Sequence, residues 1–190
     1  MTILCASFTL VTPRPAIFLD RDGVLIEDLE YVNSSDRTNI YPEAIEAIKI
    51  ARLNGFLVFV LTNQAGIARN LYTERECVSF NEWLMGEFSG RGAPIDQLVY
   101  CPSHPDFPPK GICGCRKPGT GMLSYLTERW HLNLRESLLI GDKESDFLAG
   151  HSFGISSKIL NSESKLIDIV KNHVNLIKDG SNVEVLKANE

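Results

Sequence analysis

The sequence predicts an α/β fold, a doubly wound parallel sheet with no large cap domain. Two observations predict it. Apolar bursts of four to six residues alternate with helix-period segments, as strands linked by crossover helices do. The first strand candidate, Ala16-Ile17-Phe18-Leu19, is also continuously apolar rather than alternating, the pattern of a strand covered on both faces. The 190 residues suffice for one well-cored domain and are short for two. We therefore expect a single domain over 1–190, with its core at about 16–160, an N-terminal extension and a C-terminal tail.

The elements follow in order. Ala16–Leu19 is the first strand. Pro42–Asn54 reads as a helix, with proline in its first turn and Gly55 just past its end. Phe56–Leu61 is the second strand. Thr73-Glu74-Arg75-Glu76 is a capping box; it opens a helix with an apolar stripe of Val78, Phe80, Trp83, Leu84 and Phe88. Gln97–Tyr100 is the third strand, Pro118–His131 the next helix, and Ser137–Ile140 the fourth strand. A short helix at Ser145–Ser152 leads to a fifth strand near Ser156–Leu160. The remainder is read as a weaker helix with an edge strand near Val174–Ile177.

Composition excludes several classes. A net charge of -5 gives the whole chain no electrostatic match to nucleic acid. No apolar run approaches the ~20 residues of a membrane span. The start of the chain lacks the basic region and cleavage site of a signal peptide. Three of five cysteines crowd between 101 and 115. That spacing favours a metal site in a reducing cytoplasm over a disulfide framework. With the net charge negative, a small anionic ligand bound by a monomer must be met by local cations.

In a doubly wound sheet, ligands bind beyond the strand C-termini. Four such ends carry polar groups here: Asp20-Arg21-Asp22-Gly23, Thr62-Asn63-Gln64, Arg116-Lys117-Pro118 and Gly141-Asp142-Lys143-Glu144-Ser145-Asp146. An Asp-x-Asp alone is ordinary turn chemistry. Several carboxylates converging in one crevice need a cation among them, and oxygen-only ligands select a hard ion such as Mg²⁺. Asp20, Asp22 and Asp142 are the expected ligands, with Asp146 left open as a further one. A carboxylate attacking a phosphate dianion needs its repulsion cancelled, and Lys117 is the nearest candidate ammonium. Thr62 can donate to a phosphoryl oxygen. Asp20 then forms an aspartyl-phosphate, and Asp22 protonates the leaving oxygen and activates the water.

As a set, these blocks resemble the four motifs of the haloacid dehalogenase superfamily of phosphohydrolases, over roughly Ala16 to Leu160. The resemblance implies a Rossmann-like core, Asp20 as nucleophile and Asp22 as acid/base. It implies Mg²⁺ held by the Asp20 side chain, the Asp22 carbonyl and Asp142. Asp-Arg-Asp-Gly at 20–23 and a Cys/His loop before Cys115-Arg116-Lys117-Pro118 are similar to the small capless branch acting on heptose 1,7-bisphosphate and histidinol phosphate. Thr62-Asn63-Gln64-Ala65-Gly66-Ile67-Ala68-Arg69 and Tyr31-Val32 resemble the heptose side more. Ile26, Glu30 and Ala65 depart from that branch's usual residues. The expected substrate is thus a sugar bisphosphate, cleaved at the 7-phosphate of the heptose. The expected contacts are Asn63, Arg69, Arg116 and Lys117. Histidinol phosphate is the alternative substrate, and an inactive phosphometabolite-binding protein the alternative of another class.

Cys101, His104, Cys113 and Cys115 offer a Cys₃His set suited to structural Zn²⁺. In the branch the zinc histidine usually stands where this chain has Ser103. Either His104 completes the set or the site is weakened.

Overall fold

The computed structural model describes residues 12–29, 31, 34–107 and 114–180. Five parallel strands form one sheet in the order β3-β2-β1-β4-β5. They are β1 (Ala16–Leu19), β2 (Leu57–Asn63), β3 (Gln97–Cys101), β4 (Leu138–Gly141) and β5 (Ser156–Ile159). Among the described residues five α-helices alternate with them: α1 (Pro42–Leu53), α2 (Glu74–Gly90), α3 (Gly121–Thr127), α4 (Glu144–Phe153) and α5 (Leu166–Lys178).

The central strands β1, β2 and β4 are buried on both faces, as expected, while the edge strands β3 and β5 are only partly covered. All four residues of β1 are buried. Ile17 and Leu19 face one core with α1, α2 and α5. Ala16 and Phe18 face the other with α3. There Phe18 stacks on Phe59 at 5.5 Å, and Trp130 meets Phe59 edge-on at 5.3 Å. Burying such a ring contributes about 1.5–3 kcal/mol. The capping box forms: the Thr73 hydroxyl accepts from the Glu76 N–H, and the Glu76 carboxylate from the Thr73 N–H.

Two expectations are corrected. The helix read over Pro118–His131 is confined to Gly121–Thr127. Its expected first turn is spent on tight backbone bonds, Gly119 N to Arg116 O and Gly121 N to Gly114 O. The edge strand near Val174–Ile177 does not form; that segment belongs to α5. Leu166, Val170, His173 and Val174 recur at helical spacing and are buried, and α5 packs along α1. The N-terminal extension to Val11 and the tail from residue 181 lie outside the described residues.

Strand order places the site. Chain order runs outward from β1 to β2 and β3, then crosses back to β4 on β1's other side. The crevice at this reversal lies over the C-terminal ends of β1 and β4.

Candidate active site

β1 delivers Asp20 to that crevice, where its backbone N–H bonds Ile140 O of β4 at 3.0 Å. Gly23 turns the chain at φ +79°; a Cβ there would stand 2.5 Å from Asp142 Oδ2. The turn thus needs glycine both for its left-handed backbone and for the close approach of Asp142.

Asp20, Asp142 and Asp146 bring carboxylate oxygens within 4.8 Å of one another. Burial, with Asp20 nearby, pushes Asp142 up to about 6. Burial and Asp20 also raise Asp146. Lys117, from the loop after β3, is buried among them. Its ammonium lies 2.8 Å from Asp20 Oδ1 and 2.5 Å from Asp146 Oδ1, and donates to Leu61 O at 2.6 Å. Burial works to lower its pKa, but Asp20 and Asp146 outweigh it and raise the pKa. Three carboxylates thus share one buried ammonium. Asp142 Oδ1 is buried with no hydrogen-bond partner. An unpartnered carboxylate oxygen in an acidic cluster fits a hard divalent cation, and these donors are all oxygens.

Asp22 sits beside this cluster under a second set of groups. Arg21 Nη2 pairs with Asp22 Oδ1 at 3.0 Å, and Gln64 Nε2 donates to Asp22 Oδ2 at 3.0 Å. Burial raises the Asp22 pKa against the pull of Arg21. Thr62 Oγ1 lies 3.4 Å from Asp22 Oδ2 and accepts from Gln64 Nε2 at 2.8 Å.

The remaining expected residues fall into three groups. Arg69 and Arg116 line the same cleft of about 580 Å³ as Asp20, Asp22, Thr62 and Lys117. Arg69 lies against the rings of Tyr31 and Phe107, at 5.0 and 5.6 Å, and donates to the Tyr31 hydroxyl. Arg116 donates to Ser103 O at 3.1 Å. Asn63 lines the cleft too, but both ends of its amide bind the Lys117 backbone at 3.0 Å. It braces the lysine loop.

Of the four thiol and imidazole donors, Cys113 lies outside the described residues. Cys101 Sγ and Cys115 Sγ are 2.7 Å apart. His104 Nδ1 accepts from the Asp106 N–H at 3.1 Å. Among the described residues these three do not form a common donor cluster; the acidic one does.

Sequence reasoning missed Arg21, Tyr72 and Lys143. Arg21 is 1% exposed, held by Asn81 Oδ1 at 2.8 Å with the Phe80 ring 5.0 Å away. Lys143 pairs with Asp28 at 3.0 Å and stands 3.7 Å from Asp142. Tyr72 donates to Gln64 Oε1 at 2.6 Å. Arg21 and Lys143 stood inside the quoted motifs, so their positions were visible and their direction was not.

Comparison with known proteins gives the family and the fold. Residues 114–165, which span the loop of Lys117 and the β4 end with Asp142, match the HAD-hydrolase-like family model. D-glycero-alpha-D-manno-heptose-1,7-bisphosphate 7-phosphatase of Burkholderia mallei is 39% identical over 151 residues, 76% of this chain and 78% of that protein. The chain belongs to the haloacid dehalogenase-like family of phosphohydrolases. D-glycero-beta-D-manno-heptose-1,7-bisphosphate 7-phosphatase of Escherichia coli K12 is 36% identical, over 77% of this chain and 78% of that protein. The solved D,D-heptose 1,7-bisphosphate phosphatase from B. bronchiseptica, complexed with magnesium and phosphate, shares the fold. Its TM-score is 0.74 at 24% identity, over 87% of this chain and 99% of that one.

Proposed function

We propose that this phosphohydrolase removes the 7-phosphate of D-glycero-D-manno-heptose 1,7-bisphosphate through an aspartyl-phosphate on Asp20. The observation that carries the mechanism is Asp20 at the cleft floor with the Lys117 ammonium 2.8 Å from its carboxylate. An Asp20 oxygen attacks phosphorus, and the bond from phosphorus to the leaving oxygen breaks. Asp22 gives that oxygen its proton. Water then attacks the phosphorus of the acyl phosphate, Asp22 takes its proton, and inorganic phosphate leaves with Asp20 restored. Lys117 and Thr62 are placed to neutralise and orient the phosphoryl oxygens.

The fitting cation is Mg²⁺, which the Asp20 and Asp142 side chains and the Asp22 carbonyl would hold, Asp146 being tied chiefly to Lys117. When bound it supplies positive charge that offsets the repulsion between Asp20 and a phosphate dianion. Zn²⁺ in the cysteine loop is proposed on the sequence pattern of Cys101, His104, Cys113 and Cys115 alone. We read the protein as a single-domain cytoplasmic monomer. No helix among the described residues is long and apolar enough to cross a membrane.

The substrate reading rests on the relatives' activity and on Arg69 and Arg116 at the same cleft as Asp20. Guanidinium groups match a second phosphate and would repel the cationic groups of histidinol phosphate. Kinetics on both compounds test it. A higher kcat/KM for the heptose bisphosphate is expected; a higher value for histidinol phosphate overturns the reading.

A further inference from the structure

The groups holding Asp22 on two sides are N–H donors. Arg21 Nε lies 3.2 Å from each carboxylate oxygen and Nη2 3.0 Å from Oδ1. Gln64 Nε2 lies 3.0 Å from Oδ2. The guanidinium is anchored by Asn81 and Phe80. The amide is anchored by Tyr72, whose hydroxyl donates to Gln64 Oε1 at 2.6 Å.

This last bond sets a direction. A glutamine amide has a donor end and an acceptor end of nearly the same shape. With Oε1 taken by the Tyr72 O–H, Nε2 must face Asp22 and Thr62. Without that O–H, Oε1 could turn toward Asp22 and oppose its carboxylate. Burial raises the Tyr72 pKa well above its ordinary value, so the group remains a donor. The chain also makes room for the ring: a Cβ on Gly66 would stand 2.3 Å from Tyr72 Cε1.

We propose that Tyr72 and Gln64 are positioning residues for leaving-group protonation: Tyr72 fixes the Gln64 amide so that its N–H end holds Asp22 Oδ2 beside Thr62 Oγ1 at the cleft. The inference rests on Asp22 as the acid. The proton moves from Asp22 to the bridging oxygen as the phosphorus–oxygen bond breaks. Gln64 and Tyr72 exchange no proton with the substrate, and neither a guanidinium nor an amide N–H can accept one from Asp22.

The test separates leaving groups. An alkoxide needs the acid's proton; p-nitrophenolate departs without it. kcat/KM reports events up to the first irreversible step, here that cleavage. Tyr72→Phe should lower kcat/KM on heptose 1,7-bisphosphate, or another primary alkyl phosphate the parent hydrolyses, by about tenfold, a fraction of a full general acid's contribution. On p-nitrophenyl phosphate it should change by less than about twofold. Gln64→Ala should show the same selectivity more strongly. Asp22→Asn should be the most selective, and adding Tyr72→Phe to it should cost nothing further, because coupled residues are non-additive. Equal losses on both substrates, no loss on the alkyl phosphate, or a Tyr72→Phe loss that persists in the Asp22→Asn background each overturn the inference. If Asp22→Asn is itself unselective, the acid assignment falls and takes the inference with it. If Asp22→Asn is selective and Tyr72→Phe is not, only the positioning role falls.

Discussion

Replacing Lys117 by methionine keeps most of the buried stem and removes its charge. The ammonium touches Asp20 Oδ1 at 2.8 Å, Asp146 Oδ1 at 2.5 Å and Leu61 O at 2.6 Å. Without it, Asp20 and Asp146 face each other, with Asp142 in the same 4.8 Å cluster. Removing one partner of a buried ion pair costs about 3–5 kcal/mol. In a chain of this length that lowers Tm by about 6–20 °C. The loss must depend on pH. Asp146 is already raised in the folded protein by burial and by Asp20, and losing Lys117 raises it further. A carboxyl raised in the folded state favours folding below its unfolded pKa, and that stability is lost as pH rises through the folded pKa. The gap between parent and Lys117→Met should therefore widen as pH rises above the ordinary carboxylate value of 3.8 and narrow as pH falls toward it. Thermal melts of chelator-treated protein across that range measure it. Adding Asp146→Asn to Lys117→Met should narrow the gap at the alkaline end. A gap that stays constant with pH would refute the charge argument and assign the loss to packing.

Four further outcomes are expected. Asp20→Asn should lower kcat by at least about a thousandfold, since an amide forms no phosphoryl-enzyme; steady-state assays check it. Chelation should abolish turnover and Mg²⁺ alone should restore it, while metal analysis of protein purified without added zinc counts the loop metal; Zn²⁺ near one equivalent per chain is expected. Arg69→Ala should cost about 1.5–3 kcal/mol in kcat/KM on the bisphosphate and much less on a monophosphate with the same leaving group; equal losses would make Arg69 structural. His173 is 5% exposed, and its ring nitrogen bonds Glu136 O at 2.8 Å; burial holds its pKa below the ordinary 6.5. A group depressed in the folded state stabilises above its unfolded pKa, so this stability is lost as pH falls below 6.5. His173→Gln should flatten that acid limb in thermal melts.

The sheet and the motif positions were legible because both depend on local pattern. A run such as Ala16–Leu19 can satisfy its backbone and hide its side chains only inside a sheet covered on both faces. Polar residues immediately after such a run fall at the strand's end whatever the neighbouring strand is. The same reasoning failed at Pro118–Thr120, where turn bonds to Gly114 and Arg116 claimed the backbone. It failed again at Val174–Ile177, where a short apolar stretch suits strand and helix alike and the face of α1 decided. Asp20, Asp22 and Lys117 could thus be named in advance, but not the geometry among them. Whether Lys117 lies between Asp20 and Asp146, whether Arg21 turns inward beneath Asp22, and whether Asn63 faces substrate or braces the Lys117 backbone depend on strand order and register. Those join residues far apart in the chain. Tyr72 carried no signal at all in sequence, because its role rests on one hydroxyl meeting one amide oxygen eight residues away around a turn, a contact that no periodicity encodes.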